Sequence, residues 1–438
     1  MKILSRRSAI VIVFLIAFVC GTVVFIGNYI KNAPAWVQYS SNINNQSVTR
    51  TIYDRNGLLL EKTVNGAKKY NSSETIRTAV MQTVGDSNGD VGTGAQVVFK
   101  KQLSGWDFLN GIYSYGKTEN SIKLTIDANL CAVAYNALDG RKGTVGVYNY
   151  KTGEILCMVS SPSFDPENPP DIMANQEKYS GVYINRLLSA AYPPGSVFKL
   201  VTAAAAIDNI PNIQKVKFRC NGELNIGNQK VTCPKAHGSV TIRQALAVSC
   251  NVTFGRISLD LGSSVLQKYA EKAGFNSSLD VDGIKTAVGK VDATSASGVD
   301  LAWLGVGQYT NTANPLNFMA YVGAIANKGI RVIPRLLENS SVSQTQIISA
   351  KTANIIKEMM RNDVLSNYGE WNYSGLKLCA KSGTAQLSEG EEPDAWFVGF
   401  IDRSDYPLAF VVVVENGGAG STVAGPVAGK VLQKAIRK

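Results

Sequence analysis

Pro193-Pro194-Gly195-Ser196-Val197-Phe198-Lys199 runs directly into the apolar stretch Leu200–Ala206. Two prolines and a glycine force a turn, and the apolar run behind them predicts a helix that opens there and packs into a core. Ser196 then stands at a helix N-terminus, and Lys199, three residues on, shares its face. A serine hydroxyl is a weak nucleophile until a neighbour takes its proton. A lysine held in a cavity near other cations has its pKa lowered enough to do so. The helix N-terminus also favours negative charge developing on the serine oxygen. The stretch therefore predicts a nucleophile, Ser196, and its base, Lys199, on one turn.

Spacing alone does not single this turn out, because S-x-x-K recurs at Ser114/Lys117 and Ser374/Lys377. Neither of those follows a Pro-Gly turn or opens an apolar helix. Further along the chain, Ser249-Cys250-Asn251 follows the helical Gln244–Val248. Its hydroxyl suits relay of a proton to a leaving group, and the Asn251 amide suits holding a peptide. S-x-N also occurs at Ser40/Asn42, so this element gains weight only from its company. The third element is Lys381-Ser382-Gly383-Thr384, after the largely apolar Leu376–Ala380. On an edge strand, Gly383 lets a substrate backbone lie alongside. The Ser382 and Thr384 hydroxyls suit gripping a carboxylate, and Lys381 supplies positive charge. Lys151-Thr152-Gly153 fits the same K-[ST]-G pattern but precedes Ser196 and reads as a hairpin turn.

Around these motifs the chain is of ordinary globular make-up: 438 residues, 45% hydrophobic and 18% charged, room for two or three domains. It contains no repeat of fixed period. The net charge is +11, spread without long basic blocks and without a nucleic-acid module signature, so no nucleic-acid partner is expected. Lys2, Arg6 and Arg7 precede Ala9–Ile26, which carries no charge. That run is long enough for a membrane-spanning helix. Ala33-Pro34-Ala35 offers an A-x-A-like cleavage site, but a signal peptide's apolar region is shorter, so an uncleaved anchor is expected. The basic residues before it place residues 1–7 in the cytoplasm and everything after Lys31 outside. No later stretch is long and apolar enough for a second span.

Local patterns predict the remaining elements. Thr51–Leu60 reads as two strands around Asn56-Gly57, and residues 31–50 as a polar linker. Asp127 caps a helix to Leu138. Gly143–Tyr150 and Ile155–Ser160 form a hairpin, and Ile242–Leu261 and Asn317–Asn327 are helical. Trp396–Ile401 and Leu408–Val414 are strands before a last helix, Ala424–Arg437. Strands at both ends with helices between them predict an α+β fold.

Ser196, Ser249 and Lys381 occur in the order in which S-x-x-K, a serine–asparagine element and K-T-G mark penicillin-binding proteins and related β-lactamases. Over most of its length the sequence resembles the class B penicillin-binding proteins, the monofunctional transpeptidases, and among them the short members with a reduced N-terminal region. The likeness extends to Asp54-Arg55-Asn56-Gly57, Ser160–Pro166 and His237-Gly238-Ser239. It continues through Gly307-Gln308 with Pro315-Leu316, Asp394–Gly399 and Glu415–Gly418. The resemblance implies an N-terminal transmembrane helix, a small pedestal, and a transpeptidase domain. That domain would have an antiparallel five-stranded sheet flanked by helices and an all-helical lobe. The layout it suggests is a tail over 1–7, an anchor over 8–30, a linker and pedestal over 31–120, and the transpeptidase domain over 121–438.

The same resemblance implies that Ser196 is acylated by a D-alanyl-D-alanine stem peptide and that an amine of a second stem peptide then attacks the acyl-enzyme. Lys199 is the base for Ser196; Ser249 and Lys381 return the proton. Asn251 binds the peptide amide, Gly383 lies along the substrate, and Ser382 and Thr384 hold the carboxylate. The backbone N–H groups of Ser196 and Thr384 form the oxyanion hole. β-Lactams acylate Ser196 as substrate mimics, and no cofactor is expected. The expected membrane partner is a SEDS-family glycan polymerase, since residues 31–120 are too short for a fused one. The third element reads K-S-G-T rather than K-T-G-T, which keeps the hydroxyl, and Asn314 stands where a hydroxyl residue usually precedes Pro315-Leu316. A β-lactam hydrolase and a non-catalytic sensor or scaffold on the same fold are the rival functions. No W-x-E-G-type element for a hydrolase is present.

The cysteines are seven and scattered, unlike a disulfide scaffold. Cys220, Cys233 and His237, the one histidine, have the spacing C-x₁₂-C-x₃-H. Zinc ligation, a disulfide and two free thiols are all compatible with it; no fourth ligand is readable and no metal site is assigned.

Overall fold

The structure is a computed structural model that describes residues 2–44, 49–64, 66–104, 106–107, 112–113, 119–386 and 390–437. It divides into two compact units. The smaller comprises Met1–Thr51, Lys62–Lys69 and Lys100–Ser121. Its main element is the helix Lys2–Asn44, which continues through residues read above as a polar linker. Within it Ser5–Lys31 is the one helix among the described residues long and apolar enough to cross a membrane. Its apolar side chains, from Ile10 to Ile30, are exposed. Elsewhere in this unit the Thr51 hydroxyl donates to Glu119 at 2.9 Å. The Ser114/Lys117 pair lies outside the described residues.

The larger unit is built on a five-stranded antiparallel sheet. From one edge its strands are Leu378–Ala385, Asp394–Ile401, Leu408–Val414, Gly143–Asn149 and Ile155–Ser161. The predicted hairpin and the two late strands are therefore joined edge to edge, Leu408 opposite Asn149. Every residue of Asp394–Ile401 and Leu408–Val414 is buried. A continuous apolar run of this kind is expected where helices cover both faces of a sheet. Trp396 turns one way, its ring 5.7 Å from Phe318 of the helix Pro315–Ala326. Phe397 turns the other way, stacked 5.8 Å from Tyr373 and beside Gly425 of the helix Ala424–Ala435.

The second part of this unit is helical. Lys199–Asn209, Asn251–Leu261, Ser263–Ala273 and Gly298–Val306 pack on one another. Close approach is built from small side chains: Lys199–Ala206 is buried throughout, and the Thr202 hydroxyl donates to Gly305 O at 2.7 Å. A Cβ at Gly305 would collide with Ser258.

Several quoted stretches prove to be fastenings. Asp54, fully buried, accepts from the backbone N–H of Asn56 and Leu58 at 2.8 Å and of Ala128 at 3.2 Å, locking the Asn-Gly turn onto the start of the helix Ala128–Leu138. Asp165 takes a two-pronged ion pair from Arg77 at 2.7 and 2.6 Å. Glu415 accepts from Arg186 and from the Tyr192 hydroxyl, both at 2.7 Å. Asn314 caps the helix it precedes, accepting from Asn317 N at 3.0 Å, and its amide donates to the carbonyls of Leu187, Leu188 and Ala190.

Two expectations are corrected. Ser196 lies on a single 3₁₀ turn, Gly195–Phe198, and the α-helix begins only at Lys199. Ile242–Leu261 is not one helix: it breaks into Ile242–Ala247 and Asn251–Leu261. The break is at Ser249, whose φ of +53° is left-handed and cannot continue an α-helix.

Trp396 is fully buried between Tyr192 and Phe318. Trp396→Ala is expected to lower stability by about 3–5 kcal/mol, measured as the urea midpoint of the solubilised protein.

Candidate active site

Ser196 is brought to its place by backbone contacts that only glycine allows. Gly195 adopts φ +55°, and its N–H donates to Gly307 O at 2.9 Å. A Cβ at Gly195 would lie 2.8 Å from Thr384 O, one at Gly383 would lie 2.8 Å from Pro194 O, and one at Gly307 would run into Gly195 O. The nucleophile turn, the edge strand and the end of the helix Gly298–Val306 thus meet backbone to backbone. This fixes the serine against the third motif.

Lys199 is fully buried. Its Nζ stands 2.9 Å from Ser196 Oγ, 2.8 Å from Ser249 O, 3.1 Å from Ser249 Oγ and 2.7 Å from Asn251 Oδ1. The Asn251 amide is oriented by its own donor, since Nδ2 gives a hydrogen bond to Thr232 O at 2.9 Å. Its Oδ1 is therefore an acceptor toward the lysine. A neutral amine has two N–H bonds and one lone pair. Ser249 O and Asn251 Oδ1 accept only, so they take the two N–H groups and leave the lone pair for the hydroxyls, Ser196 foremost. The left-handed backbone at Ser249 is what presents both its carbonyl and its hydroxyl to Lys199. Such a conformation costs about 1–3 kcal/mol and persists where the surroundings dictate it.

Burial, and after it the nearby charge of Lys381, holds Lys199 well below the ordinary lysine range. Lys381 is also fully buried, and burial lowers it while Asp363 pulls it back up. Its Nζ donates to Ser382 O at 3.0 Å and lies 3.7 Å from Asp363 Oδ2. Burial pushes the Asp363 carboxyl up to about 6 against the pull of Lys381. The two lysines thus differ: Lys381 has a carboxylate partner and Lys199 has only neutral acceptors.

The Ser374/Lys377 pair sits in a loop, past the turn Glu370–Tyr373, with Lys377 at φ +47°. Lys151-Thr152-Gly153 is the hairpin turn that its position implied, with Gly153 at φ +79°. All eight residues singled out from the motifs come together. Ser196, Lys199, Ser249 and Asn251 share one hydrogen-bonded cluster. Lys381 and Gly383 face into the protein along the edge strand. Thr384 is exposed, and Ser382, half-buried, is turned toward Tyr368. A cleft of about 400 Å³ is lined by Ser196, Asn251 and Thr384 together with Trp303, Val306, Gln308, Tyr309 and Gln386.

Two residues escaped the sequence reading. Tyr368 OH donates to Asp363 Oδ2 at 3.1 Å, accepts from Ser382 N at 2.8 Å, and lies 2.8 Å from Ser382 Oγ. Burial pushes its phenol well above the usual range, so it stays a hydroxyl. The chain reaches this arrangement through a π-helical turn, Val364–Tyr368, whose extra residue per turn brings Tyr368 round to Asp363. Asp363 ends the amphipathic helix Ala350–Asp363. Nothing in its sequence distinguishes it from the solvent-facing charges of that helix.

Known proteins resemble this chain in sequence and in fold. The family model described as the penicillin binding protein transpeptidase domain matches residues 143–433. The chain is similar to the peptidoglycan D,D-transpeptidase PbpA of Mycolicibacterium smegmatis, 26% identical over 363 residues, covering 74% of this chain and 73% of that protein. It is also similar to stage V sporulation protein D of Bacillus subtilis, 27% identical over 360 residues, covering 74% of this chain and 54% of that protein. Among solved structures, penicillin-binding protein A from M. tuberculosis, as its ceftriaxone acyl-enzyme complex, superposes with a TM-score of 0.77 at 22% identity, over 89% of this chain and 99% of that one. Likeness at that identity carries the fold. With the family model covering more than half of the sequence, the chain belongs to the penicillin-binding protein transpeptidase family, as a class B member.

Proposed function

We propose that this protein is a peptidoglycan D,D-transpeptidase that forms peptide cross-links through a Ser196 acyl-enzyme and is a target of β-lactams. The observation that carries the reading is the buried Lys199 amine, its N–H groups directed to Ser249 O and Asn251 Oδ1 and its lone pair left to Ser196. Ser196 Oγ attacks the carbonyl between two D-alanines of a stem peptide, and its proton passes to Lys199. The tetrahedral oxyanion rests on the backbone N–H groups of Ser196 and Thr384, an arrangement worth about 10²–10³ in rate per donor. Collapse breaks the peptide bond, and the departing D-alanine amine takes a proton by way of Ser249. An amine of a second stem peptide then attacks the acyl-enzyme carbonyl, its proton passes back through Ser249 and Lys381, and the ester bond breaks as Ser196 Oγ recovers the proton.

Asn251 holds the peptide amide, Gly383 leaves room for the substrate backbone, and Ser382 and Thr384 grip the terminal carboxylate. Tyr368 is a positioning residue: it touches no substrate and holds Ser382 by its N–H and hydroxyl. The long apolar helix anchors the chain, with 1–7 in the cytoplasm, 8–30 in the membrane, 31–120 as linker and pedestal, and 121–438 outside as the transpeptidase domain. The basic residues before the apolar run support this orientation. A SEDS-family glycan polymerase supplies the strands to be cross-linked.

Fluorescent penicillin should label the wild-type protein stably and leave Ser196→Ala unlabelled. Labelling of the variant sinks the assignment, and rapid loss of label from wild type means a β-lactam hydrolase instead. The acylation rate should fall as pH drops through the depressed pKa of Lys199, because protonation removes the lone pair. Lys381→Met takes away a neighbouring cation, so the falling limb should move to higher pH; an unmoved limb refutes the charge coupling. Tyr368→Phe should slow acylation by about tenfold, the scale of a lost positioning contact, chiefly through KM for carboxylate-bearing substrates, with folding retained.

A further inference from the structure

A strap of nine residues, Glu415-Asn416-Gly417-Gly418-Ala419-Gly420-Ser421-Thr422-Val423, joins the strand Leu408–Val414 to the helix Ala424–Ala435. The reaction proposed above gives it no role, yet it reaches both the nucleophile turn and the edge strand. Three of its residues are glycine, and Val423 is its only large apolar side chain. Such a segment loses much chain entropy on ordering and has little apolar surface to offset the loss. Its position therefore rests on polar fastenings, which gather at its first four residues.

Glu415 makes the first of these. Its Oε1 accepts from Arg186 Nε and from the Tyr192 hydroxyl, both at 2.7 Å. Arg186 is buried and held in its turn. Its backbone N–H donates to Ser160 Oγ at 2.9 Å, and its guanidinium donates to Gly181 O at 2.9 Å and Ser180 O at 3.3 Å. Tyr192 is paired through its backbone with Ala313 in both directions, at 3.0 and 2.8 Å, and directly precedes Pro193-Pro194-Gly195-Ser196. Burial, and after it the charge of Glu415, pushes the Tyr192 phenol up, so it remains a donor. The start of the strap is thus tied to the chain that delivers the nucleophile. The second fastening is to the sheet. Asn416 N donates to Oδ1 of the fully buried Asp394 at 3.0 Å, and Gly418 N donates to Pro393 O at 2.8 Å. Asp394 lies opposite Ala385 in the sheet, one residue past Thr384.

Held at both places, the strap meets the edge strand at Gly420. A Cβ there would run into Gly383 O and Trp396 O, so no side chain separates the strap from the third motif. Gly420 N donates to Thr384 Oγ1 at 3.5 Å, and Gly420 O accepts from Gly425 N at 2.9 Å where the last helix begins. A threonine hydroxyl has one hydrogen and two lone pairs. An N–H aimed at the oxygen occupies a lone pair, and the hydroxyl hydrogen must point elsewhere. Thr384 is exposed and lines the cleft with Ser196, so its free side is the side that a substrate occupies. We propose that Glu415 is a positioning residue for acyl transfer, a role that rests on the transpeptidase reading. By holding the strap to Arg186 and Tyr192 it keeps Gly420 N–H on Thr384 Oγ1, and so presents that hydroxyl as a donor to the terminal carboxylate of the substrate. Glu415 itself does not line the cleft.

The test is a double-mutant cycle on the full chain in detergent, read as the rate of acylation by fluorescent penicillin. The carboxylate of the penicillin stands in for that of the stem peptide. Glu415→Ala should slow acylation by about tenfold, the scale of one charge-assisted hydrogen bond. Thr384→Val keeps the shape, removes the hydroxyl and should slow it at least as much. In the double variant, Glu415→Ala should add less than about a twofold further loss, because the group it positions is gone. Losses that multiply overturn the proposal, as does a Glu415→Ala rate equal to wild type. Glu415→Gln keeps an oxygen acceptor for Arg186 and Tyr192 and should recover most of the rate; a glutamine variant as slow as the alanine one also counts against it. Should Glu415→Ala fail to fold, Tyr192→Phe, which keeps the ring against Trp396, takes its place in the same cycle. A wild-type protein that takes no label counts against the transpeptidase reading itself, whereas a labelled wild type with multiplying losses sinks only the role of Glu415.

Discussion

The active site depends on one buried amine. Lys199 is stripped of water and surrounded by acceptors that carry no charge. An ammonium there would be poorly solvated, and the nearby Lys381 makes it worse. The neutral form is thereby favoured, with Ser196 Oγ 2.9 Å from the amine. Everything around it serves this condition: the small side chains of Lys199–Asn209 admit the neighbouring helices, and the break at Ser249 turns a carbonyl inward instead of continuing a helix.

The counterpart is Lys381. It is equally buried, but Asp363 stands 3.7 Å away and keeps its charge from being wholly uncompensated. Tyr368 links that carboxylate to Ser382, so the charge pair and the Ser382 hydroxyl share one hydrogen-bond network. Two lysines in one site are therefore driven apart in proton affinity by their partners. Burial lowers both, but only one has an acid to hold its proton.

The glycines at the site show how strictly the pieces are joined. Gly195, Gly307 and Gly383 each sit where a Cβ would press on backbone of another segment. The nucleophile turn, the helix Gly298–Val306 and the edge strand are thereby held at fixed separation, and the cleft opens above them. A site made from backbone contacts of this kind has little freedom to drift, which suits catalysis that depends on orientation.

The sequence by itself determined the nucleophile turn, the order of the three motifs, the apolar anchor helix, and most strands and helices. These are local properties: prolines, glycines and hydrophobic periodicity act over a few residues. It was also enough to mark Asp54, Asp165 and Glu415 as members of notable stretches, though not to say what they fasten. Only the tertiary structure decided which groups meet. The break at Ser249 was invisible because its left-handed backbone is imposed by Lys199 and Asn251, distant or adjacent partners that helix periodicity does not register. Asp363 and Tyr368 were missed because their roles arise from a π-helical turn and from a strand that follows them in the chain. Cys250, whose sulfur lies within 4.8 Å of the Cys220 and Cys233 sulfurs and of a His237 ring nitrogen, could not be joined to them because those distances are set by packing of residues 217–241 against the helix Asn251–Leu261. Chemistry that depends on distances under 4 Å across 50 residues or more, as between Lys199 and Ser249, is fixed by packing, and packing is where the chain's separate signals become one site.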